Sequence, residues 1–323
     1  MYITGKFIKF QNLYFDDFDD PLPGTTNNDT IVGLGGDDQI WGDLGNDEMY
    51  GGTGDDVIKP GKPNDNNTGH WGYDTAYGDE GNDELDFSNN MDNVELHGGS
   101  GNDYVVGGSG NDKLYGGTGI DHLYGNNGND TIYVGGKPMA GNDGADYDPN
   151  YAFAGGGNDY VYGSWGDDWI FGAAGDDWLY GKQGNDVIFG QGDDDVIFGG
   201  GGQDVLCGGS GWDSFVFDTY DSYGYSDTIT DFDCTHDFID LSQSGTSSNY
   251  TELTVGYSAG YNEAKWAALD QLNGTIRNVF VTDGVNGYLF VDYNGNGLIE
   301  NGIVLEDLNS LSDFSYGNIS NIL

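Results

Sequence analysis

An aspartate returns every nine residues through the middle of this chain: Asp168, Asp177, Asp186, Asp195, Asp204 and Asp213. Carboxylates in such number suit either general acid–base work or the binding of a cation. The spacing separates the two. The stretch from Gly163 to Val216 reads in nines as GSWGDDWIF, GAAGDDWLY, GKQGNDVIF, GQGDDDVIF, GGGGQDVLC and GGSGWDSFV. Each unit opens on Gly, carries Asp at its sixth place and holds a large apolar residue at its eighth: Ile170, Leu179, Ile188, Ile197, Leu206 and Phe215.

A nine-residue unit is too short for a helical hairpin and has a single obligate core residue. Glycines at the first and fourth places are expected to supply the φ > 0 angles of a tight turn. The β-branched and aromatic residues after the Asp suit a short strand. One unit is then a turn plus a strand, and two units make one coil of a flattened solenoid. Stacked coils bury what a single unit cannot. Residues 18 apart, such as Ile170 and Ile188, come to lie above one another in a parallel sheet, and the Asp carboxylates stack likewise. Neighbouring strands lie about 4.8 Å apart, so such columns repel unless a cation lies between them. Carboxylates plus turn carbonyls suit the hard cation Ca²⁺, and this accounts for the stacked Asp more simply than acid–base catalysis. Turn preference alone explains the Asp and Asn at the fifth place, but not an Asp at every sixth place.

The units resemble the RTX nonapeptide G-G-x-G-x-D-x-U-x, where U is apolar. The resemblance covers roughly residues 27 to 216 and implies an all-β, right-handed parallel β-roll. It further implies that sixth-place Asp and turn carbonyls of loops one coil apart hold multiple Ca²⁺ ions. Sixth-place residues earlier in the chain are Asp38, Asp47, Asp56, Asp74, Asp83, Asp103, Asp112, Asp121, Asp130 and Asp159. With the six above they form the expected metal ligands.

The pattern has interruptions. Residues 60–68 keep the nine-residue register but put Asn67 at the core place, which predicts a bulging loop. Phe87 to Glu95 is degenerate, with Asp92 and Val94 read at the sixth and eighth places and two extra residues following. Residues 134–150 break the pattern, which resumes weakly at Asn150 and Ala152. They are expected to form an external loop, the usual place for function on a scaffold. The expected domains are therefore an N-terminal arm or cap strand (1–26), a first block of the roll (27–133), that loop, a second block (151–216) and a β-rich C-terminal cap (217–323). The arm is rich in Tyr and Phe. It serves either to cap the first coil, as a solenoid requires, or to pair with another subunit by strand addition.

The ninth place is often aromatic, as at Tyr50, Tyr77, Tyr115, Phe171, Tyr180 and Phe198, and the seventh place adds Trp169 and Trp178. Period-two alternation puts both places opposite the core residue. Such ladders either pack within the sheet, mediate self-association or stack on sugar rings.

From Phe217 the glycine period stops. The segment FVFDTYDSYGYSDTITDFDCTHDFIDLS resembles the one closing RTX rolls, with the match on Asp227, Asp231, Asp237 and Asp240. One helix is predicted, from Asn262 to Leu272. Asp292, Asn294 and Asn296, followed by Gly297, form D-x-N-x-N-G, which offers a further Ca²⁺ loop or a plain hairpin turn. The EF-hand's twelfth-place Glu is missing, since Ile303 stands there, so a β-type loop is expected with Glu300 or Asp307 as extra ligand. Cys207 and Cys234 are either disulfide-bonded, tying roll to cap, or both unpaired.

The net charge is −46, with nine Lys plus Arg and 55 Asp plus Glu. That argues against nucleic acid and anionic membrane as partners. No apolar run approaches the ~20 residues of a membrane helix, so no membrane insertion is expected. The N-terminal residues lack the h-region of a cleaved signal, but proteins resembling this one leave the cell by type I secretion on an uncleaved C-terminal signal. The tail YGNISNIL is compatible with such a signal. His70, His97, His122 and His236 are scattered, with no H-E-x-x-H, no G-x-S-x-G and no P-loop. The zinc protease domain that often precedes such rolls is therefore not expected. The chain opens on Met and is expected to be whole rather than an enzyme's tail. The expected protein is non-catalytic, extracellular or at the cell surface, folded by calcium and assembled as a homo-oligomer or filament. The alternative is a calcium-dependent binding module with polysaccharide as partner.

Overall fold

The computed structural model describes residues 11–14, 21–61, 71–136, 146–217, 226–241, 249–256, 259–272, 275–308 and 314–320. The chain divides into two compact units, Met1–Tyr160 and Val161–Leu323. Each contains two sheets of parallel strands, one strand per nonapeptide, alternating between the sheets along the chain. This is the expected parallel β-roll.

In the first unit, Asp29–Gly35, Glu48–Thr53, Thr75–Glu80, Glu95–Ser100, Lys113–Thr118 and Thr131–Gly135 pair in that order. The facing sheet runs from Gln39–Trp41 through Val57–Lys59, Glu84–Asp86, Tyr104–Val106 and His122–Asn127 to Tyr151–Gly156. The arm contributes the first coil. Gln11–Tyr14 pairs with Asp29–Val32, and Pro21–Pro23 with Gln39–Trp41, so Leu22 fills a core place at 0% exposure. The rest of the arm, residues 1–10 and 15–20, lies outside the described residues.

Among the described residues the core places carry only apolar side chains. Ile31, Met49, Ala76, Leu96, Leu114 and Ile132 line one sheet of the first unit and are fully buried. In the second unit Ile170, Ile188 and Leu206 stand in register, as do Leu179, Ile197 and Phe215. Each such side chain contributes roughly 1.5–3 kcal/mol on burial. One per nine residues is a thin core.

The interruptions shift the pairing offset without breaking the sheets. Met49 pairs with Ala76, 27 residues on instead of 18. The predicted loop at 60–68, including Asn67, falls largely in residues 62–70, outside the described residues. Leu123 pairs with Ala152, 29 residues on, so within the first unit the roll resumes directly after the break at 134–150. Residues 137–145 of that break are likewise not described. The register of 87–95 differs from expectation. Ala76 pairs with Leu96 and not Val94, so the extra residues come before Val94, which stands at the sixth place. The absence of glycines in this segment hides the frame.

The second unit ends in a mixed sheet. Ser226–Ile229 pairs with Asn301–Leu305 in parallel. Gly287–Val291 and Asn278–Thr282 follow antiparallel, and Tyr250–Thr254 closes the edge in parallel. The helix Tyr261–Leu269 buries Ala264 and Ala268 against Val279, Val281, Tyr288 and Phe290. On the opposite face Phe280 stacks on Phe314 at 4.7 Å, and Phe314 meets Phe232 at 5.8 Å. These rings plug the end of the roll, which would otherwise expose Phe215.

The turns overturn one expectation. First-place glycines do not adopt positive φ; the second and fourth places do, with Lys182 at 77° and Gly184 at 115°. The first place needs glycine for space. A Cβ on Gly181 would meet Oδ2 of Asp186 and the Gly199 carbonyl oxygen. We expect Gly181→Ala to cost ~1–3 kcal/mol by overpacking, and Lys182→Gly to be neutral or to gain up to about 1 kcal/mol by relieving the left-handed backbone. Thermal unfolding in saturating calcium reads both. Equal shifts in the same direction would contradict this division of roles.

Candidate metal centre

The sixth-place aspartates are built into the stack by their own backbones. In the second unit the Asp168 N–H donates to Oδ1 of Asp186 at 2.8 Å, Asp186 to Asp204 at 2.8 Å, Asp177 to Asp195 at 2.9 Å and Asp195 to Asp213 at 3.0 Å. The first unit repeats this from Asp38 to Asp56, Asp83, Asp103 and Asp121, at 2.7–2.9 Å. The companion column runs from Asp47 to Asp74, and from Asp112 to Asp130 and Asp159. All of these carboxylates are at most 2% exposed.

The closing segment extends the ladder. Asp204 donates to Asp227 at 3.0 Å and Asp213 to Asp237 at 3.2 Å. Asp231 instead takes the N–H groups of Gly208 and Gly209 and the Cys207 thiol at 3.0 Å. Asp240 is buried. Cys207 and Cys234 are not joined by a disulfide. Burial, and then the Asp231 carboxylate, push the Cys207 thiol up to about 12.

A second ladder went unread in the sequence. Fifth-place side chains accept from the coil after them, as in Asn82 N–H to Asp55 Oδ1 at 2.8 Å and Asn185 N–H to Asp167 Oδ1 at 2.7 Å. The fifth and sixth places thus bond in opposite directions along the stack. Their side chains do not merely favour turns, because they replace the strand ladder where the backbone bends. The signal was present: Asp or Asn recurs at the fifth place of most units.

Each sixth-place carboxylate has two oxygens, and the ladder uses one. The Oδ2 atoms of Asp47, Asp56, Asp74, Asp83, Asp103, Asp121, Asp130, Asp186, Asp195 and Asp204 are buried and accept no hydrogen bond. A buried anionic oxygen without a partner is costly. Beside it lies the space that a first-place Cβ would fill, closed on the far side by a carbonyl of the next coil, as at Gly51, Gly78, Gly98 and Gly190. Among the described residues no three His, Cys, Asp or Glu side chains converge on one point. Carbonyl oxygens must therefore complete any shell. A carboxylate oxygen and turn carbonyls, with no nitrogen or sulfur, fit a hard divalent cation.

Electrostatics agree. Burial above all, and then the neighbouring carboxylates, raise Asp186 to about 9, and Asp74, Asp83, Asp121, Asp130 and Asp195 to about 8. Asp47, Asp56 and Asp204 rise to about 7, and Asp103 and Asp159 to about 6.

The C-terminal loop is differently built. Asp292 accepts the N–H groups of Gly295, Asn296 and Gly297, while Asn294 and Asn296 accept those of Asn296 and Leu298. Glu300 turns onto the loop, accepting from Tyr293 N–H and Asn294 Nδ2. The Arg277 guanidinium lies against Gly295 and donates to the Tyr293 carbonyl at 3.3 Å. The three predicted ligands thus cap their own hairpin, with a cation already beside it.

The family model of the RTX calcium-binding nonapeptide repeat matches residues 23–58, 68–89, 92–114, 106–136, 140–179, 171–206 and 180–215, together more than half of the chain. The chain belongs to this family, as a calcium-binding β-roll protein that takes up multiple Ca²⁺ ions. No curated protein matches it. Among solved structures it is similar to the AlgE6R3 subunit of the Azotobacter vinelandii mannuronan C5-epimerase, at 26% identity over 51% of this chain and 79% of that one, with a TM-score of 0.25. Among the described residues no helix is long and apolar enough to cross a membrane.

The raised carboxyl values set a pH dependence. A carboxyl whose folded value lies above its unfolded value of 3.8 stabilises the fold below that pH and loses this as pH rises through the folded value. Calcium-free protein should therefore gain β signal by circular dichroism as pH falls from 9 to 5. Calcium uptake, which needs the deprotonated groups, should weaken over the same range. A pH-independent calcium-free spectrum would contradict this.

Proposed function

We propose that the sixth-place carboxylates, with turn carbonyls of adjacent coils, hold the calcium ions, and that this protein is an extracellular structural protein folded by them. The observation that carries the reading is the row of buried, unpaired Oδ2 atoms facing carbonyl oxygens. With a net charge of −46, self-repulsion opposes the compact state until ions are bound, so binding energy becomes folding energy. The high calcium outside cells and the secreted habit of RTX proteins support an extracellular location. The sixth-place carboxylates are buried and committed to the ladder, which removes them from acid–base work on a substrate.

Self-assembly is the second part of the proposal. Ninth-place rings stack along the sheets: Tyr50, Tyr77, His97, Tyr115 and Tyr133 follow one another at 4.4–5.2 Å. In the second unit Tyr162, Tyr180 and Phe198 stack at 4.9 and 4.4 Å, and Phe171 on Phe189 at 5.2 Å. The inner rings of each column are thus stacked on both faces within the sheet. Tyr115 is buried, while Trp169 (42%) and Trp212 (55%) are exposed. Exposed tryptophans beside these aromatic columns, on so acidic a chain, support contact between copies once calcium has lowered the repulsion.

Calcium titration of chelated protein, followed by light scattering and circular dichroism on one sample, tests both parts. We expect β signal and particle mass to rise together, with mass far beyond that of the 34.7 kDa chain. The variant Trp169→Glu/Trp178→Glu should fold with calcium but remain monomeric. Folding without a rise in mass would remove the assembly reading and turn attention to polysaccharide as the partner of the aromatic faces. No β signal with calcium would remove the first part.

A further inference from the structure

We propose that the turns of this protein are of two kinds, and that only one kind takes calcium. The inference rests on the reading that sixth-place carboxylates hold the ions, and adds which of them do not.

In the first kind the second-place residue is left-handed, as at Asp43, Asn126, Lys182 and Gln191, with φ of 71–82°. Its N–H is turned away from the sixth-place carboxylate. Oδ2 is then left without a hydrogen bond, as in Asp47, Asp130, Asp186 and Asp195. These turns are open to a cation.

In the second kind the second-place residue is not left-handed, and its N–H closes onto Oδ2 of the same turn. Gly108 donates to Asp112 at 2.7 Å. Ser164 donates to Asp168 at 2.6 Å through N–H, and its hydroxyl adds bonds of 2.9 Å to Oδ2 and 3.2 Å to Oδ1. The same Oγ accepts the Gly166 N–H at 3.1 Å, so the whole turn is knitted together. Thr25 closes on Asp29 at 2.6 Å and Asp233 on Asp237 at 2.8 Å. Asn150, an amide at the sixth place, bonds to Asp146 of its own turn at 2.8 Å.

The chemistry of the two kinds is opposite. An open turn offers a lone pair where a cation would lie. A closed turn presents the positive ends of N–H and O–H groups there, and its carboxylate is already satisfied. A cation would have to displace those donors to enter.

Three of the closed turns also stand at an end of the repeats or beside a gap in a carboxylate column. Asp29 stands where the first coil passes into the second, and Asp237 lies in the closing segment. Asp112 receives its ladder bond from Val94, whose place in the column has no carboxylate, and its turn rests on Phe87–Asn90, with Ser109 N–H donating to the Asn90 carbonyl. A carbonyl of the next coil faces these turns as it does the open ones, at Gly107 and Gly163, so it is the turn's own donors that set them apart. Asp112 and Asp168 are thus metal-independent clasps, which hold their turns before calcium arrives and limit the loaded stretches.

Bound calcium is counted on the full chain by equilibrium dialysis and atomic emission in saturating calcium, with circular dichroism confirming the fold. Asp186→Asn should bind at least one ion fewer than the unaltered protein. Asp112→Asn and Asp168→Asn should each bind the full number. Ser164→Ala keeps the carboxylate and removes only the hydroxyl donor, so it should bind the full number while raising the calcium concentration needed to fold. Loss of ions from Asp112→Asn or Asp168→Asn equal to that from Asp186→Asn overturns the proposal, and an unchanged folding midpoint in Ser164→Ala overturns the clasp role. If Asp186→Asn also binds the full number, the underlying reading of the sixth-place carboxylates fails instead.

Discussion

Buried carboxylates held one above another at the spacing of a β-sheet are the constraint on which this structure depends. Neighbouring strands lie about 4.8 Å apart, and like charges at that distance repel far more strongly in a dry turn than in water. The chain answers half of the demand itself, by giving each Oδ1 a backbone N–H from the adjacent coil. The other oxygen, Oδ2, accepts no hydrogen bond in turns such as those of Asp186 and Asp195. The remaining features of the repeat serve that arrangement. The first-place glycine leaves space beside Oδ2, the left-handed second place turns its N–H away, and the fifth-place side chain bonds in the opposite direction to hold the bend.

The apolar side of the fold is correspondingly modest. One core residue per repeat gives a continuous but narrow stripe, as in Ile170, Ile188 and Leu206. That stripe is opposed by the repulsion within a chain of 55 acidic and nine basic side chains. On the function proposed above, calcium binding and folding are coupled. The C-terminal cap works on different terms. Its helix and antiparallel strands bury Tyr288 and Phe290 on one face and Phe280 on the other. It also covers the apolar end of the roll, which an uncapped solenoid would leave exposed.

The aromatic ladders follow from the same geometry. In-register parallel strands repeat a side chain at the distance at which flat rings stack, so Tyr and Phe at the ninth place gain a partner in each neighbouring coil. His97 enters such a column between Tyr77 and Tyr115 because a flat ring is all the position requires.

The sequence by itself determined the repeat, the parallel roll, the core places and the carboxylate columns, because a strict period of nine with one apolar place allows one way to bury it. Asp38 to Asp213 fell where the period put them, and Asp227 and Asp237 of the closing segment joined the ladder. Only the tertiary structure decided the rest. Val94 passed for a core residue until the pairing of Ala76 with Leu96 set the frame, since a register has no meaning without a neighbouring strand. The first glycine looked like a turn former, yet it is needed because the next coil's carbonyl and its own turn's carboxylate crowd it. Asp112 and Asp168 read like every other sixth-place Asp, but their turns close. Whether a backbone N–H points at a carboxylate depends on φ at the second place and on what the coil beneath can offer, and no single repeat encodes its neighbour.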